Sequence, residues 1–461
     1  MVPGACSGPE PTLASPAAPP LKTAILGAGV SGLALARFLI QGGLAAHDVT
    51  VFEASRVAGG LCGSKTVDGF TYDIAGGHIL FSKDRPAMDW MKAEGGGEQA
   101  FVRRDRETKI RFGDRWVHYP FENGLGDLPA QANYECLKGY VEAWAQRQKA
   151  PGPAPADFGA WVCWRFGEGI ARHFMDPYNQ KIWKRPLSEL TSDWVAGRVP
   201  DAPIDDVLKA SVGIRTEGYT HQSIFYYPKA GGFQAITDGL AKNLGPRLRL
   251  GHKVERVERH GAGFHVDGET FDRVVSTIPL NLLPDLLPGL RESEARALRE
   301  LSYNSITCIL YALDRSEHPP LSWIYLPHPE QGPANRVTYM SNYSPGNAPA
   351  GRTSLMAEVT WDPAGGEPGP GLEREVLEGL VKAGLVRPEE VLFSDRTSSR
   401  FAYIVYDRPF KERKAAALAA LERLGIVPLG RFGRYEYDNS DQCVIKARAL
   451  AQELLVQAAR G

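Results

Sequence analysis

A glycine-rich turn near the start of the chain constrains its fold more than any other feature. Residues 24–33 read Ala-Ile-Leu-Gly-Ala-Gly-Val-Ser-Gly-Leu, an apolar strand that enters a G-x-G-x-x-G turn and then a helix. Gly27, Gly29 and Gly32 let the backbone turn tightly and approach a pyrophosphate, toward which the helix directs its free N–H groups. Ser31 lies in the first turn of that helix. The turn therefore predicts a strand–helix–strand unit that binds a dinucleotide.

The residues after the next predicted strand indicate which dinucleotide is bound. The strand over residues 49–53 ends in Glu53, 21 residues after Gly32, where a carboxylate would bind a ribose hydroxyl. Arg56 and Gly60 follow at once, in a second glycine-rich turn that favours FAD over a nicotinamide cofactor. Chance glycines in an ordinary βαβ unit are the alternative, and the combined spacing disfavours it.

Length, charge and cysteine content exclude several classes of protein. With 461 residues the chain is too long for one compact core, and we expect two or three domains. A net charge of −1 provides no broad basic surface for nucleic acid or an anionic membrane. The six cysteines form no C-x-x-C pair and no metal-ligand spacing, so we expect buried thiols, no bound metal and a cytosolic protein.

Two further features bear on location. No run of about 18 apolar residues occurs, so no membrane span is predicted. Residues 1–21 are rich in Pro, Ala, Gly and Ser and lack the basic and apolar regions of a signal peptide. We therefore expect a disordered tail and a cytoplasmic location.

The order of predicted elements indicates a nucleotide-binding domain interrupted by other segments. The fold class predicted is α/β, with an FAD-binding Rossmann-like domain of the glutathione-reductase type, a helical insert and an antiparallel substrate sheet. The proposed boundaries are the tail 1–21, FAD segment 22–100, hairpin and helical insert 101–212, FAD segment 213–288, sheet domain 289–424 and FAD segment 425–461. Within them we expect a hairpin turn at Gly113, a helix cap at Asp157, and strands over 253–257 and 273–279 that return to the FAD domain.

Arginines and tyrosines recur in four segments outside the cofactor motifs, at 176–183, 194–200, 335–345 and 403–437. Arginine offers paired donors to phosphate oxygens, and a tyrosine hydroxyl binds phosphate without adding charge. Taken singly, each arginine is more often a surface residue or part of an ion pair. Together they predict a flavoenzyme with an anionic or polar substrate.

The sequence around His78 adds a second candidate. Gly76 and Gly77 precede it, which suggests backbone passing close to a flat ligand such as the isoalloxazine ring. An ordinary turn histidine is an equally good interpretation of the residues alone.

From residue 22 to about residue 459 the chain resembles the UDP-galactopyranose mutases, particularly their eukaryotic-type branch. Residues 76–82 resemble the family's flavin loop, and Tyr-Pro-Phe at 119–121 resembles one wall of its site. Pro-Tyr-Asn at 177–179, followed by Trp183 and Arg198, matches a family segment in residue type and spacing. Arg336 with 341–345 resembles the substrate strand, and 430–433 the C-terminal flavin turn.

The resemblance implies a role for individual residues. It places His78, Arg198 and Arg336 in catalysis, with the two arginines on the diphosphate. Substrate contacts are implied for Tyr119, Phe121, Asn179, Trp183, Gln222, Tyr325, Tyr343, Tyr403 (or Tyr406) and Tyr437. FAD contacts are implied for Gly27, Gly29, Ser31, Gly32, Glu53, Arg56, Gly60, Gly77, Arg106, Val254, Arg431 and Asn439.

The resemblance also implies a reaction. Reduced FAD, supplied with electrons by NADH or NADPH, attacks the anomeric carbon of a nucleotide sugar through N5. The sugar ring opens and closes again as a furanose, so the enzyme is an isomerase of a nucleotide sugar, most simply a UDP-hexose. A homo-oligomer is compatible with the sequence.

Three departures from the family pattern leave the sugar and the nucleotide open. Glu122 replaces a glutamine, which places a carboxylate near the nucleotide or the flavin. Gly346 replaces a bulky residue and is expected to enlarge or loosen the site, and residues 213–223 do not match the family's loop over the uridine. Two other readings share the cofactor domain: a flavin oxidase or dehydrogenase of the amine-oxidase or protoporphyrinogen-oxidase type, and a non-catalytic flavoprotein scaffold.

Overall fold

The computed structural model describes residues 21–195, 198–199, 202–216 and 223–460. Residues 1–20 of the predicted tail and the site candidate Gln222 lie outside these ranges. The strands are β1 Thr23–Leu26, β2 Val49–Glu53, β3 Ser64–Val67, β4 Phe70–Asp73, β5 Phe101–Asp105, β6 Thr108–Phe112, β7 Arg115–His118, β8 Ile224–Pro228, β9 Leu248–Leu250, β10 Val257–His260, β11 Gly263–Val266, β12 Glu269–Phe271, β13 Arg273–Ser276, β14 Tyr303–Leu313, β15 Trp323–Tyr325, β16 Arg336–Thr338, β17 Thr353–Trp361, β18 Val391–Ile404 and β19 Ile426–Pro428. The helices are α1 Val30–Gln41, α2 Arg85–Glu94, α3 Ala130–Lys149, α4 Phe158–Ile170, α5 Asp176–Trp183, α6 Ile204–Ser211, α7 Gln234–Lys242, α8 Glu292–Arg299, α9 Met340–Tyr343, α10 Leu372–Lys382, α11 Phe410–Leu424 and α12 Ser440–Arg460.

A parallel sheet carries the nucleotide-binding motif. Its strand order is β19-β13-β1-β2-β9, and Thr23 of β1 pairs with Arg273 of β13 and Val49 of β2. All four residues of β1 are buried, as expected for a parallel strand covered on both faces. Helix α1 follows the glycine turn and packs against α12, the last helix of the chain. The predicted α/β FAD-binding fold is confirmed.

The predicted strand over residues 253–257 is wrong. The strand that pairs with β2 is the preceding segment β9, whereas Val257 begins β10 of a separate three-stranded antiparallel sheet. The backbone N–H groups of Glu255 and Arg256 donate to the Asp267 side chain, at 3.0 and 2.9 Å, rather than to a neighbouring strand. The predicted strand required backbone pairing with the FAD domain, but a nearby carboxylate satisfies these backbone groups instead.

A seven-stranded sheet forms the other major layer, in the order β18-β14-β17-β16-β15-β6-β7. The strands predicted over 307–313 and 355–359 lie within β14 and β17. The predicted hairpin is confirmed as β6 and β7, with Phe112 opposite Arg115 across the Gly113 turn. This hairpin joins the sheet through a parallel pairing of β6 with β15, whereas the other neighbouring strands run antiparallel.

The helical insert consists of α3 to α6 with a π-helical turn, Ala171–Met175, between α4 and α5. Asp157 caps α4 as predicted, because its side chain accepts a hydrogen bond of 2.7 Å from the Ala160 N–H. Cys163 is exposed, contrary to the expectation of buried thiols, because Val162 and Phe166 occupy the inner face of α4. Cys136, Cys308 and Cys443 are buried, and Cys62 is partly buried.

Within the described ranges, none of the helices combines the length and the apolar character that crossing a lipid bilayer requires.

Helices α3 and α4 approach each other through glycines. Gly167 has a φ of +77°, and a Cβ added there would lie 2.1 Å from the carbonyl oxygen of Gly139. Gly169 meets the Glu135 carbonyl oxygen at 2.2 Å by the same construction. The insert therefore depends on contacts between the backbones of the two helices, which any side chain at Gly167 would separate.

Replacing Gly167 with alanine is expected to destabilise the protein by about 2–6 kcal/mol, since strained backbone and overpacking each add about 1–3 kcal/mol. Thermal and urea unfolding of the purified variant measure the effect. Gly152→Ala is the matched control, because nothing lies within 4 Å of its added Cβ. Equal stability of the two variants would contradict the close helix contact.

Candidate functional site

One large cavity, of about 850 Å³, lies between the parallel sheet, the helical insert and the seven-stranded sheet. Gly27 and Glu53, at the carboxyl ends of β1 and β2, lie in its wall, which is where open α/β sheets bind ligands. The opposite parts of the wall come from α5 of the insert and from β15 and β16 of the larger sheet. The cavity therefore brings all three predicted regions together.

Glycine is needed at each of the three positions of the first turn for a different structural reason. Gly27 has a φ of +98°, and a Cβ on Gly32 would lie 2.1 Å from the Gly27 carbonyl oxygen. Gly29, immediately before α1, has nothing within 4 Å of an added Cβ. Gly27 thus makes the turn, Gly32 allows helix and strand to pack, and Gly29 leaves open space over the helix N-terminus.

Glu53 holds its carboxylate against the glycine turn. Its Oε2 accepts a hydrogen bond from the Ala28 N–H and its Oε1 one from the Ser55 N–H, both at 2.8 Å. The carboxylate lines the cavity with lone pairs left to accept from a ligand. Gly60 completes this part of the wall, since its backbone passes close to Gly29, 3.2 Å from an added Cβ to the Gly29 Cα.

Two buried carboxylates hold the loop that contains Gly76, Gly77 and His78. The Gly77 N–H donates to Glu358 Oε1 at 3.1 Å, and the His78 N–H donates to Asp73 Oδ2 at 3.0 Å. Burial lowers the pKa of His78, with Asp73 opposing the effect, so the imidazole is neutral near pH 7. Its Nδ1 is buried without a hydrogen-bond partner, and the side chain as a whole is 24% exposed.

Arg336 is fixed beside this loop by a residue that sequence reasoning missed. Arg336 on β16 lies opposite Glu358 on β17, and its Nε donates to Glu358 Oε1 at 2.7 Å. Glu358 is fully buried. Burial lowers the pKa of Arg336, but Glu358 and neighbouring tyrosines raise it above its ordinary value, so the guanidinium stays charged. The available signal was a lone carboxylate in the otherwise uncharged strand β17.

Two further arginines lie against the ring of Tyr437. The guanidinium carbons of Arg198 and Arg431 lie 3.9 and 4.0 Å from the centroid of its ring, within the range of cation–π attraction. Arg431 donates to the backbone oxygens of Ala402 and Asp438, while its Nε is buried without a hydrogen-bond partner. Burial lowers the pKa of Arg198. Both arginines and Tyr437 line the cavity.

A continuous row of aromatic rings leads from the strand carrying Arg336 to the helical insert. Tyr325, opposite Arg336 on β15, has ring centroids 5.2 Å from Tyr119 and 5.1 Å from Tyr178. Tyr178 stacks on Phe174 at 5.3 Å, and Phe174 stacks on Phe121 at 4.8 Å. The row gives the cavity a largely aromatic wall at its insert end.

Asn179 and Trp183 are held by α5. The Asn179 Nδ2 donates to the Met175 carbonyl at 2.7 Å, and its Oδ1 accepts from Trp183 Nε1 at 3.1 Å. Tyr403 lies 6.4 Å from Trp183 between ring centroids and lines the cavity. Tyr406 instead accepts a hydrogen bond of 3.1 Å from the Tyr437 N–H.

Most of the candidates from the sequence border this cavity. The lining includes His78, Arg198, Arg336, Tyr119, Phe121, Asn179, Trp183, Tyr325, Tyr343, Tyr403, Tyr437, Gly27, Gly29, Ser31, Glu53, Gly60, Gly77, Arg106, Arg431 and Asn439. Among the described candidates, Gly32 packs behind the turn, Arg56 is exposed outside the cavity, and Val254 is buried in an apolar cluster with Phe52. Gly346 does not enlarge the site, because an added Cβ would lie 2.1 Å from the Lys229 carbonyl oxygen, away from the cavity.

Comparison with known families decides the broad class. The family of flavin containing amine oxidoreductases matches residues 30–410. The chain belongs to this family. A curated relative from Methanothermococcus thermolithotrophicus, an uncharacterised protein in the nifH2 3′ region, is 42% identical over 66 residues. That alignment covers 14% of this chain and 61% of the relative.

Solved structures extend the comparison over nearly the whole chain. Reduced UDP-galactopyranose mutase superimposes with a TM-score of 0.87 and 26% identity, covering 95% of this chain and 96% of that one. A candidate protoporphyrinogen oxidase from Exiguobacterium sp. 255-15 gives 0.71 and 18%, over 94% and 98% of the two chains. Cyclohexylamine oxidase from Brevibacterium oxydans IH-35A gives 0.65 and 14%, over 95% and 99%. At these identities the two oxidases show the fold alone.

The cavity suits the FAD that this flavin-containing family implies. Gly29 leaves room for a pyrophosphate over the N-terminus of α1, and Glu53 presents a carboxylate for a ribose. The unpartnered Arg431 Nε adds a buried donor without a protein acceptor. At Gly76 and Gly77 an added Cβ would lie 3.2 Å from an Arg336 guanidinium nitrogen and 3.0 Å from the Thr338 hydroxyl oxygen, so these glycines let the loop pack closely on β16 where both line the cavity.

Gly29→Ala separates cofactor binding from folding. The protein has room for the methyl group, so we expect the stability of the apoprotein to change by less than about 0.5 kcal/mol. The methyl group would occupy the space of the pyrophosphate, and we expect roughly 100-fold weaker FAD binding. Fluorescence titration of apoprotein with FAD measures the affinity. Gly32→Ala is the contrasting variant, because its Cβ meets protein backbone and should impair folding itself; unchanged FAD affinity in Gly29→Ala would contradict the assignment.

Glu358→Gln tests the ion pair beneath the loop. Removing one partner of a buried ion pair leaves an uncompensated charge, and we expect a loss of about 3–5 kcal/mol in stability together with a shifted flavin absorbance spectrum. Glu390→Gln is matched, because Glu390 is also buried and paired, with Arg315 and Arg387, but does not line the cavity. The control should lose stability without a spectral change. If the two variants had the same flavin absorbance spectrum, the proposed influence of Glu358 on the loop beside the flavin would be contradicted.

Proposed function

We propose that this chain is a flavin-dependent isomerase of a nucleotide sugar, a pyranose–furanose mutase of the UDP-galactopyranose mutase type. The observation that carries the proposal is the position of Arg336, which shares Glu358 with the backbone of Gly77 in the predicted flavin loop. A phosphate-binding cation thus lies beside the place where the flavin ring would react. The overall similarity to reduced UDP-galactopyranose mutase supports the same conclusion.

The charge of the cavity favours an anionic substrate over an amine. Its described lining contains five arginines, Arg106, Arg198, Arg336, Arg400 and Arg431, and three carboxyl groups, Glu53, Glu122 and Asp438. The arginines offer hydrogen-bond donors that the oxygens of a diphosphate accept, whereas an ammonium group has only donors and cannot use them. This argues against the amine-oxidase reading, which shares the fold.

Reduced FAD would supply the electron pair that displaces the nucleoside diphosphate from the anomeric carbon. Arg198 and Arg336 then bind the diphosphate as it gains charge, so they stabilise the transition state more than the bound substrate. Burial raises the pKa of Tyr343 and of Tyr403, so both hydroxyls stay protonated and donate to phosphate or sugar oxygens without adding charge.

His78 has a different part in the proposal. Its neutral ring carries one N–H donor and one acceptor, and it lies in the loop expected to contact the flavin. It can therefore hydrogen-bond the flavin in either oxidation state without adding a charge. The proposal further includes NADH or NADPH as the source of electrons and a cytoplasmic location, where both are available.

The proposal predicts isomerisation that depends on reduction. Purified protein, reduced with dithionite without oxygen, should convert UDP-galactopyranose or another nucleoside-diphosphate hexose into its furanose, separated by chromatography, and the oxidised protein should not. Arg336→Lys should lower kcat/KM by roughly 100- to 1,000-fold, because lysine keeps the charge but loses the paired donors. Arg408→Lys, at an exposed arginine outside the cavity, is the control and should retain activity.

Other outcomes would select the competing interpretations. Oxygen consumption with an amine or a porphyrinogen, and no isomerised sugar across the panel, would identify an oxidase. A flavin that neither NADH nor NADPH reduces, with no turnover of any sugar nucleotide, would identify a non-catalytic flavoprotein.

A further inference from the structure

A buried lysine lies behind the wall that the helical insert contributes to the cavity. Lys181 of α5 is 9% exposed, and its Nζ donates to the carbonyl oxygens of Leu326 at 2.9 Å and Ala334 at 3.0 Å. Lysine is seldom buried, because its ammonium group is costly to remove from water. Lys181 itself does not line the cavity. Any effect of Lys181 on a ligand is therefore exerted through the two carbonyl groups that it binds.

Both carbonyl groups belong to the strand pair that carries Arg336. Leu326 directly follows β15, and Ala334 precedes Arg336 of β16 by two residues. The Leu326 N–H donates to the Asn335 carbonyl oxygen at 3.0 Å, which continues the pairing of β15 with β16 by one step. The Lys181 Nζ therefore binds both strands at once, at the end of the pair that holds Arg336.

Helix α5 contributes other side chains to the cavity wall, namely Tyr178, Asn179, Ile182 and Trp183. A second hydrogen bond fixes the end of this helix to the same sheet, because the Asn304 Nδ2 of β14 donates to the Ile182 carbonyl oxygen at 2.8 Å. Lys181 is the contact that reaches β15 and β16. It therefore fixes the separation between the Arg336 strand and the wall formed by α5.

The amine keeps this contact in either protonation state. Burial lowers the pKa of Lys181 to about 7, Lys184 lowers it further, and Glu330 opposes the shift. The ammonium form has three N–H donors, and the neutral amine has two, one for each carbonyl oxygen. The position therefore needs a pair of donors at the end of a long side chain, which a methionine of similar length lacks.

We propose that Lys181 is a positioning residue, which holds the strands of Arg336 at the distance from α5 that lets one nucleotide sugar contact both walls of the cavity. The inference rests on the proposed nucleotide-sugar function, because that ligand would span the two walls. A lysine that only stabilised the fold would leave ligand affinity unchanged in the folded protein. A positioning lysine instead changes the affinity through Arg336.

Binding of UDP to the oxidised, FAD-loaded protein tests the proposal without turnover. In Lys181→Met the two carbonyl oxygens lose their donor, and the strands are free to shift. We expect titration calorimetry to show roughly 10-fold weaker UDP binding, about the contribution of one hydrogen bond to a charged group. In the isomerisation assay, kcat/KM should fall by roughly 10- to 100-fold, because small misplacements of binding groups slow catalysis strongly.

Coupling to Arg336 separates a positioning role from a structural one. In the Arg336→Lys background the guanidinium that Lys181 positions is already absent, while the retained charge keeps UDP binding measurable. Adding Lys181→Met to this background should weaken UDP binding by less than roughly threefold. Independent effects would add, so they would give the same loss of about 10-fold in both backgrounds.

Lys92→Met is the matched control. Lys92 of α2 is 5% exposed, its Nζ donates to Glu98 at 2.8 Å, and it does not line the cavity. This variant should unfold at a lower temperature without changing UDP affinity by more than roughly twofold. Lys181→Gln carries an amide donor on a side chain one bond shorter, and it should show a smaller loss of affinity with the same coupling. FAD content and thermal unfolding establish that each variant is folded.

UDP affinity that stays within roughly twofold in Lys181→Met, or an equal loss in both arginine backgrounds, would overturn the proposal. It would also be rejected if the unmodified protein bound no UDP, or if neither Lys181 variant folded with FAD, since Lys181 would then serve the fold itself. Coupled loss of UDP affinity without isomerisation would leave this inference standing and reject the mutase reaction. Isomerisation that Lys181→Met leaves unchanged would reject only this inference.

Discussion

The hydrogen-bonded ion pair between Arg336 and Glu358 is the interaction on which the rest of the site depends. Glu358 has no exposure to solvent, and one of its oxygens accepts from both Arg336 and the Gly77 backbone. A charge buried in this way is tolerated only with a partner held in good geometry. The cross-strand register of β16 and β17 provides that geometry, so the larger sheet sets the distance between the Arg336 guanidinium and the loop that contains Gly77.

Electrostatic balance in the cavity follows from this arrangement. The fully buried carboxylate of Glu358 orients Arg336 from within the cavity wall, so it does not fill the cavity itself. Arg198 and Arg431 are placed by an aromatic ring instead of a carboxylate, which attracts them without neutralising them. The positive charge of the lining is therefore available to a ligand, and the neutral tyrosines beside it add donors without opposing charge.

Local sequence patterns predicted those structural features that depend on residues close together in the chain. The roles of Gly27, Gly29 and Gly32 follow from backbone geometry within one turn, and Asp157 caps a helix three residues away. Glu358 could not be recognised in this way, because its partners lie 22 and 281 residues away and meet only through strand pairing. The incorrect strand over 253–257 has the same cause, since the Asp267 carboxylate that replaces its ladder becomes adjacent only in the folded hairpin. Glu122 was visible as a departure from the family pattern, but its burial and missing partner required the structure.

The packing of α1 against α12 joins the two ends of the described chain. The glycine turn is made within the first tenth of the sequence, yet β19 and α12, which complete the sheet and cover that helix, come from the last tenth. During synthesis the early segment leaves the ribosome long before these elements exist, so the apolar surface of α1 stays exposed until β19 and α12 have been made. The cofactor site is therefore assembled only once β19 and α12 have been synthesised, and a chain that stops before them would contain the complete nucleotide-binding motif without the surface that stabilises it.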